Sequence, residues 1–319
     1  MTNRRGNHII VVLMIGNMLL NSVSIKAQQL PIYSHYILSD YILNPALTGR
    51  YDYQLIQSNI RYQWVGINDA PKTITLSANI PYKIKKVGLG GYLFNDVTGA
   101  VSRSGFNFSY AYHIAIDEEY QLGLGVNGGL LQYRVNGPEL ILADEAERYL
   151  FDAMETAFSP DASFGTCLYS NSFFLGFSLN HFFRNKVADK LFDNTAAGFG
   201  NLARHLYIMG GGKFKVHELF ELEPSALIKY VSPSQLQMDI STRVFYNEMV
   251  WMGITYRTKD AFVLLAGYDY KDMIRFAYSY DITTSNLKNY SAGSHEIMIG
   301  YRFNKKEEDS GRKIQRGLN

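Results

Sequence analysis

Phe106-Asn-Phe108-Ser-Tyr110-Ala-Tyr112-His113-Ile114-Ala-Ile116 is the stretch whose reading decides the fold. Large apolar residues hold every even position, and small or polar residues fill the odd ones. A strand shows alternate residues to opposite faces, so this period means that one face meets an apolar medium and the other does not. The same alternation returns near the end of the chain. There Ile297, Ile299, Tyr301 and Phe303 alternate with Glu296, Met298, Gly300 and Arg302. Outward from these two stretches the pattern predicts about fourteen strands. They fall near 53–64, 72–82, 87–94, 103–116, 119–133, 161–170, 172–183, 203–215, 219–230, 235–246, 249–257, 261–270, 273–282 and 294–303. No amphipathic helix lies between them to cover a sheet. The pattern therefore predicts an all-β fold, an antiparallel outer-membrane barrel with apolar faces toward lipid and small polar faces toward the lumen.

Composition agrees with that reading. The chain holds 24 Tyr, 19 Phe and 2 Trp, and Asp, Glu, Lys and Arg together make up 19%. Soluble domains average roughly 25% charged residues, and lipid-facing strands with aromatic girdles account for the shortfall. At the N-terminus, Arg4 and Arg5 precede the apolar run Ile9–Leu20, and Ala27 follows Ser24. Residues 1–27 read as a cleaved signal peptide, too short for a spanning helix. No cysteine follows to suggest a lipid anchor, and Cys167 stands alone, without a disulfide partner or metal-ligand company. Losing residues 1–27 with Arg4, Arg5 and Lys26 takes the formal charge from +2 to −1, so a basic nucleic-acid surface is not indicated.

The connections predict sidedness. Even-to-odd links are short: Lys83–Lys86, Asp117–Glu118, Asn171, Val216–Glu218, Asn247–Glu248 and Lys271–Asp272. Odd-to-even links include the long Arg134–Pro160, Arg184–Leu202 and Thr283–Gly293. Short turns opposite long loops match bacterial outer-membrane barrels, with both termini periplasmic. The expected organisation is a periplasmic segment over 28–52, a barrel over 53–303 and a flexible polar tail over 304–319. Pro138–Phe151, inside the longest loop, reads as weakly helical and acidic, either a partner-contacting or lumen-folded loop or a solvated cap.

Inward positions carry charges of both signs, with Asp239 and Arg243 in one strand and Arg275 and Asp281 in another. Paired charges favour a plugged or narrow lumen over an open pore. Glycines gather at Gly88, Gly90 and Gly91, at Gly123, Gly125, Gly128 and Gly129, and at Gly210–Gly212. In strands they mark bends or the close approach of another backbone, and no helix follows them to bind phosphate. No catalytic or metal-ligand constellation emerges, and no cofactor is implied. His35, His113, His181, His205, His217 and His295 are scattered. Outer-membrane lipases project Ser and His from neighbouring strands at the barrel's outside edge; Ser294-His295 sits near the membrane entry of the last strand, but the sequence names no partner for it, and the reading is non-enzymatic.

Short motifs recur in order along the chain. Gln29-Leu-Pro-Ile-Tyr-Ser-His-Tyr36 precedes Asn44-Pro45-Ala46-Leu-Thr-Gly49, then Arg61-Tyr-Gln63-Trp64, Gly66 and Ala70-Pro71-Lys-Thr73. Gly88-Leu-Gly90, Asn95-Asp96 with Gly99, and Ser294-His295-Glu296-Ile297 complete the series. Over about 28–303 this order resembles the PorP/SprF family of type IX secretion and gliding-motility membrane proteins. The resemblance implies an outer-membrane protein that supports secretion or surface attachment of cargo, such as large adhesins. Implied partners are type IX secretion components and a large secreted surface protein, in a setting of outer-membrane lipid. The motif residues themselves read as structural: Asn44-Pro45 favours a turn, and Tyr62 and Trp64 suit an aromatic girdle. A passive porin or hydrophobic-substrate channel is the alternative the same fold permits, with an outer-membrane phospholipase third.

The register in 273–282 places Arg275 toward the lumen and Phe276 toward lipid. Phe276→Arg is expected to impair membrane folding, at up to roughly 2–4 kcal/mol near the midplane, while Arg275→Leu leaves insertion intact. A refolding assay into lipid vesicles checks both, and equal tolerance would refute the register.

Overall fold

Alternation in sequence becomes alternation in exposure around a closed sheet. The computed structural model of the protein describes residues 33–82, 86–139, 154–183, 203–231 and 236–303. Fourteen antiparallel strands follow one another around the barrel. They are β1 (Gln54–Tyr62), β2 (Lys72–Tyr82), β3 (Val87–Thr98), β4 (Val101–Ala115), β5 (Gln121–Asn136), β6 (Met154–Tyr169) and β7 (Phe173–Asn180). The second half comprises β8 (His205–Gly212), β9 (Phe220–Val231), β10 (Gln237–Tyr246), β11 (Val250–Arg257), β12 (Ala261–Tyr270), β13 (Ile274–Thr283) and β14 (Ser294–Phe303). β8 breaks at Lys213, whose amide donates to Ser172 O at 2.7 Å, and resumes as Phe214–Lys215 opposite Leu222 and Glu221. Closure is direct, because β1 pairs with β14 from Gln54↔Phe303 to Tyr62↔His295.

In β4 the outward Phe106, Phe108, Tyr110 and Tyr112 are exposed, while Asn107, Ser109, Ala111 and His113 are buried. Aromatics mark both rims on the outside: Tyr82, Tyr246 and Tyr270 at one end, Tyr62, Tyr230 and Tyr256 at the other. That is the lipid-facing band with interfacial rings of a membrane barrel. The first rim carries two tight hairpins, Asn247-Glu248 (φ 49° and 57°) and Lys271-Asp272 (φ 48° and 55°). Positive φ at both central residues matches the right-handed twist of the flanking strands. We call this rim the turn end and the opposite rim the loop end.

Three expectations are corrected. β3, β5 and β6 run longer than the pattern suggested, so the expected Arg134–Pro160 loop shrinks to 137–153, and the Pro138–Phe151 helix lies largely outside the described residues. Pro160 made the start of β6 read as loop, yet it pairs with Leu130. The aromatic girdle takes Tyr62 but not Trp64, which lies past the end of β1 with φ 45°.

The third correction concerns the segment expected ahead of the barrel. Residues 33–48 are buried throughout and occupy the lumen. They hold two short turns, α1 (Asp40–Leu43) and a 3-10 turn over Pro45–Leu47. Tyr33 and Ser34 lie among loop-end side chains, and Gly49 reaches the turn end beside Gly88. The described chain thus starts in the loop-end half, whereas β14 finishes at the turn end, so the expected common side for both termini does not extend to Tyr33.

Candidate functional site: the plugged lumen

A segment with so little secondary structure of its own must find partners for its peptide groups elsewhere. The barrel wall supplies them. The amides of Ser34 and His35 donate to the two oxygens of Glu296 at 2.7 and 3.2 Å. Gln57 Nε2 donates to Leu38 O at 3.1 Å, and Ser178 Oγ and Asn180 Nδ2 donate to Leu43 O at 2.7 and 3.0 Å. Near the turn end, the Gly49 amide donates to Asn79 Oδ1 at 2.6 Å, and His113 Nε2 lies 2.8 Å from Thr48 O. These wall groups come from β1, β2, β4, β7 and β14, so the plug is tied around most of the circumference.

Asn44-Pro45-Ala46 seats the middle of the plug. Asn44 Oδ1 accepts from the Ala46 amide at 3.0 Å, capping the 3-10 turn. Its Nδ2 donates to Thr166 O at 3.1 Å, so one side chain both shapes the turn and binds the wall. Pro45 then rests on bare backbone, where a Cβ at Gly125 would lie 2.2 Å from Pro45 C. Gly88 meets the plug as closely, since a Cβ there would lie 1.8 Å from Thr48 O. Gly128 has nothing within 4 Å, and Gly210–Gly212 meet neighbouring wall residues rather than the plug.

At the loop end, charges hold the plug's start. Six side chains alternate in sign across the wall: Lys229, Asp239, Arg257, Asp281, Arg61 and Glu296. The successive contacts are 2.9, 3.3, 2.9, 2.7 and 3.0 Å. Ser34 Oγ donates to Asp281 Oδ1 at 2.8 Å and accepts from Arg61 at 2.8 Å, which makes the plug a member of the network. Such a buried network is no net gain over apolar packing, yet removing one partner leaves an uncompensated charge at about 3–5 kcal/mol. It specifies position rather than adding stability.

The motif residues fall on one lumenal row. Glu296 pairs with Arg61, Arg61 with Thr73, Thr73 with Asp96 and Asp96 with Arg103 in register across five strands. Their side chains face inward; Thr73 Oγ1 donates to Asp96 Oδ1 at 2.6 Å, and Arg103 bonds the same carboxylate. The remaining motif residues shape loops above that row. The Gln63 amide donates to Pro71 O at 2.9 Å and the Trp64 amide to Ser294 Oγ at 3.1 Å. Gly66 (φ 100°) and Gly99 (φ 53°) take left-handed turns, and Ala70 leads into β2. Ser294 faces inward while His295 faces outward, with Nδ1 2.7 Å from Tyr278 Oη. Adjacent strand residues on opposite faces cannot act as a nucleophile–base pair with each other.

Asp239, Arg243 and Asp281 are buried, and Arg275 lies in the lumen bonded twice to Asp269 at 2.7 Å. Sequence reasoning missed Arg257, Asp269 and Arg302, although their alternation with outward residues marks each as inward once a register is known, and it missed Ser34, which lies in the plug and has no such period. Among the described residues no three His, Cys, Asp or Glu side chains form a metal-holding group.

A sequence profile described as type IX secretion system membrane protein PorP/SprF matches residues 25–301. No curated protein matches the chain. Among solved structures, the CymD monoaromatic hydrocarbon channel is similar at 12% identity and TM-score 0.52, covering 83% of this chain and 92% of that one. A Pseudomonas aeruginosa FadL homologue is similar at 11% identity and TM-score 0.48, covering 82% and 93%. At such identity the first of these supports the barrel fold alone.

Gly125→Val is expected to expel the plug from its seat while keeping β5, since Val suits a strand. In planar bilayers the unaltered protein should be nearly silent and the Gly125→Val protein should conduct. Gly128→Val, on the lipid side, is the matched control and should stay silent. Conductance unchanged by Gly125→Val would refute the plug.

Proposed function

The chain belongs to the PorP/SprF family of type IX secretion system membrane proteins, and from that membership we propose a non-enzymatic outer-membrane component that supports secretion or surface attachment of large cargo such as adhesins. The observation that carries this reading is the plug. A wall that bonds the plug's main chain from five strands, and enlists Ser34 in an ion network, favours a closed scaffold over a conduit. A passive open porin needs a free lumen, and the seating of Pro45 on Gly125 runs against that.

The proposal places the loop end outside the cell and the turn end, with the tail over 304–319, in the periplasm, because long loops face outward in bacterial barrels. Its partners are then other type IX components on the periplasmic side and a large secreted protein. A protease site inserted within Asn286–Asn289 is expected to be cut on intact cells, and one at 117–119 to be spared; the reverse pattern would invert the orientation. In a deletion strain, a specific surface protein should disappear from the cell exterior while small-solute uptake stays near normal. Reduced uptake with an unchanged surface proteome would overturn the secretion role in favour of the porin.

A further inference from the structure

The turn-end mouth of the lumen holds a cavity of about 270 Å³ beneath the plug. Turn residues Asn171, Ser172, Glu248 and Asp272 line its rim, so it opens at the barrel's end. Its walls carry the cations Arg50, Lys213, Arg243, Arg275 and Arg302 and the carboxylates Glu223, Glu248, Asp269 and Asp272, and Lys213 also pairs with Glu221 at 2.5 Å. The pairing is uneven. Asp269 alone serves two guanidiniums, Arg275 at 2.7 Å and Arg302 at 2.8 Å. Arg50 reaches Asp40 only at 4.0 Å, and Asp40 already accepts from Tyr51 Oη and the Tyr41 amide, each at 2.8 Å.

Two guanidiniums keep unused donors. Arg243 and Arg302 are both more than nine-tenths buried, line the cavity, and have an Nε–H without an acceptor. Each guanidinium has one carboxylate partner, Glu223 for Arg243 at 2.8 Å and Asp269 for Arg302 at 2.8 Å, and keeps further N–H donors on the cavity wall. Aromatic rings pack beside the guanidiniums: Arg302 lies 5.0 Å from the Tyr53 ring centre, Arg243 5.0 Å from Trp251, and Arg50 5.0 Å from Phe174. The N–H fork of a guanidinium matches a carboxylate. Asp269 shows the same bidentate match within the wall, through Arg275.

We propose that this vestibule is a carboxylate-binding site, taking an acidic peptide segment that enters from the turn end and presents its side-chain carboxylates to Arg243 and Arg302. A small polycarboxylate offers the same chemistry, and the assay separates the two sources. The site does not depend on the secretion role, since it follows from the cavity and its arginines alone.

Trp251 touches Arg243 and is one of two tryptophans in the chain. In the full-length Trp64→Phe protein, purified in detergent, it becomes the sole tryptophan reporter. The acetylated, amidated peptide Asp-Glu-Asp-Glu is expected to change its emission saturably, with affinity falling as salt rises. Tetralysine should not. Arg302→Gln should weaken binding at least about tenfold, and Glu223→Gln, which frees Arg243 from its 2.8 Å partner, should strengthen it. Saturation by citrate but not by the peptide, with the same dependence on the two variants, would keep the anion site and replace its source. No saturation by either probe, or binding unchanged by both variants in protein that keeps its heat-modifiable folded band, would overturn the site.

Discussion

Lipid offers no hydrogen-bond partners, so every strand amide at membrane depth must be satisfied within the protein. The pairing of β1 with β14, from Gln54↔Phe303 to Tyr62↔His295, is what meets that demand. It joins the beginning and end of the sheet and removes its edges. Once the ring is closed, two consequences follow. Apolar side chains are forced onto the lipid face, and polar side chains are confined to an interior that has to be filled. Here the interior is filled by the chain itself. The plug's short turns pair the Leu38, Ser39, Ile42, Asn44, Leu47 and Thr48 amides internally, and the wall's Glu296, Gln57, Asn79, Ser178 and Asn180 meet main-chain groups that those turns leave over.

Register turns scattered motifs into one structure. Glu296, Arg61, Thr73, Asp96 and Arg103 come from five separate strands, yet antiparallel pairing sets them side by side on one lumenal row. The plug joins that row at Ser34 and His35 through Glu296. A second polar layer, at the turn end, is built around Asp269, Arg275, Arg302 and the Arg243–Glu223 pair. The two layers differ in kind. At the loop end, carboxylates and cations alternate in a chain that takes in the plug's Ser34, whereas the turn-end charges line a cavity.

Much of this architecture is legible in the sequence because period two is a local property. Phe106 to Ile116 alone specifies which residues of β4 face lipid, and the inward side of Asp239, Arg243, Arg275 and Asp281 follows from alternation within single strands. Partner choice is not local. That Asp281 meets Arg61 and Arg257 depends on strand register and lumen width, which no one strand encodes. The plug was hidden for a related reason: residues 28–52 have no apolar period, and a segment whose amides are satisfied by side chains elsewhere looks like any irregular leader. Glycines were the available clue. Gly88, Gly123 and Gly125 face inward in strands, and close backbone approach is one of the few reasons to place them there.

The central claim is that residues 33–49 sit inside the barrel, tied to its wall through the Ser34, His35 and Gly49 amides and the Leu38 and Leu43 carbonyls. Hydrogen–deuterium exchange on the full-length protein in detergent tests it directly, because an amide held by a buried carboxylate or amide oxygen exchanges only when the plug leaves. The account predicts that peptides covering Ser34–Gly49 exchange as slowly as those from β4 and β5. Exchange of that segment at the rate of unprotected amides would contradict it.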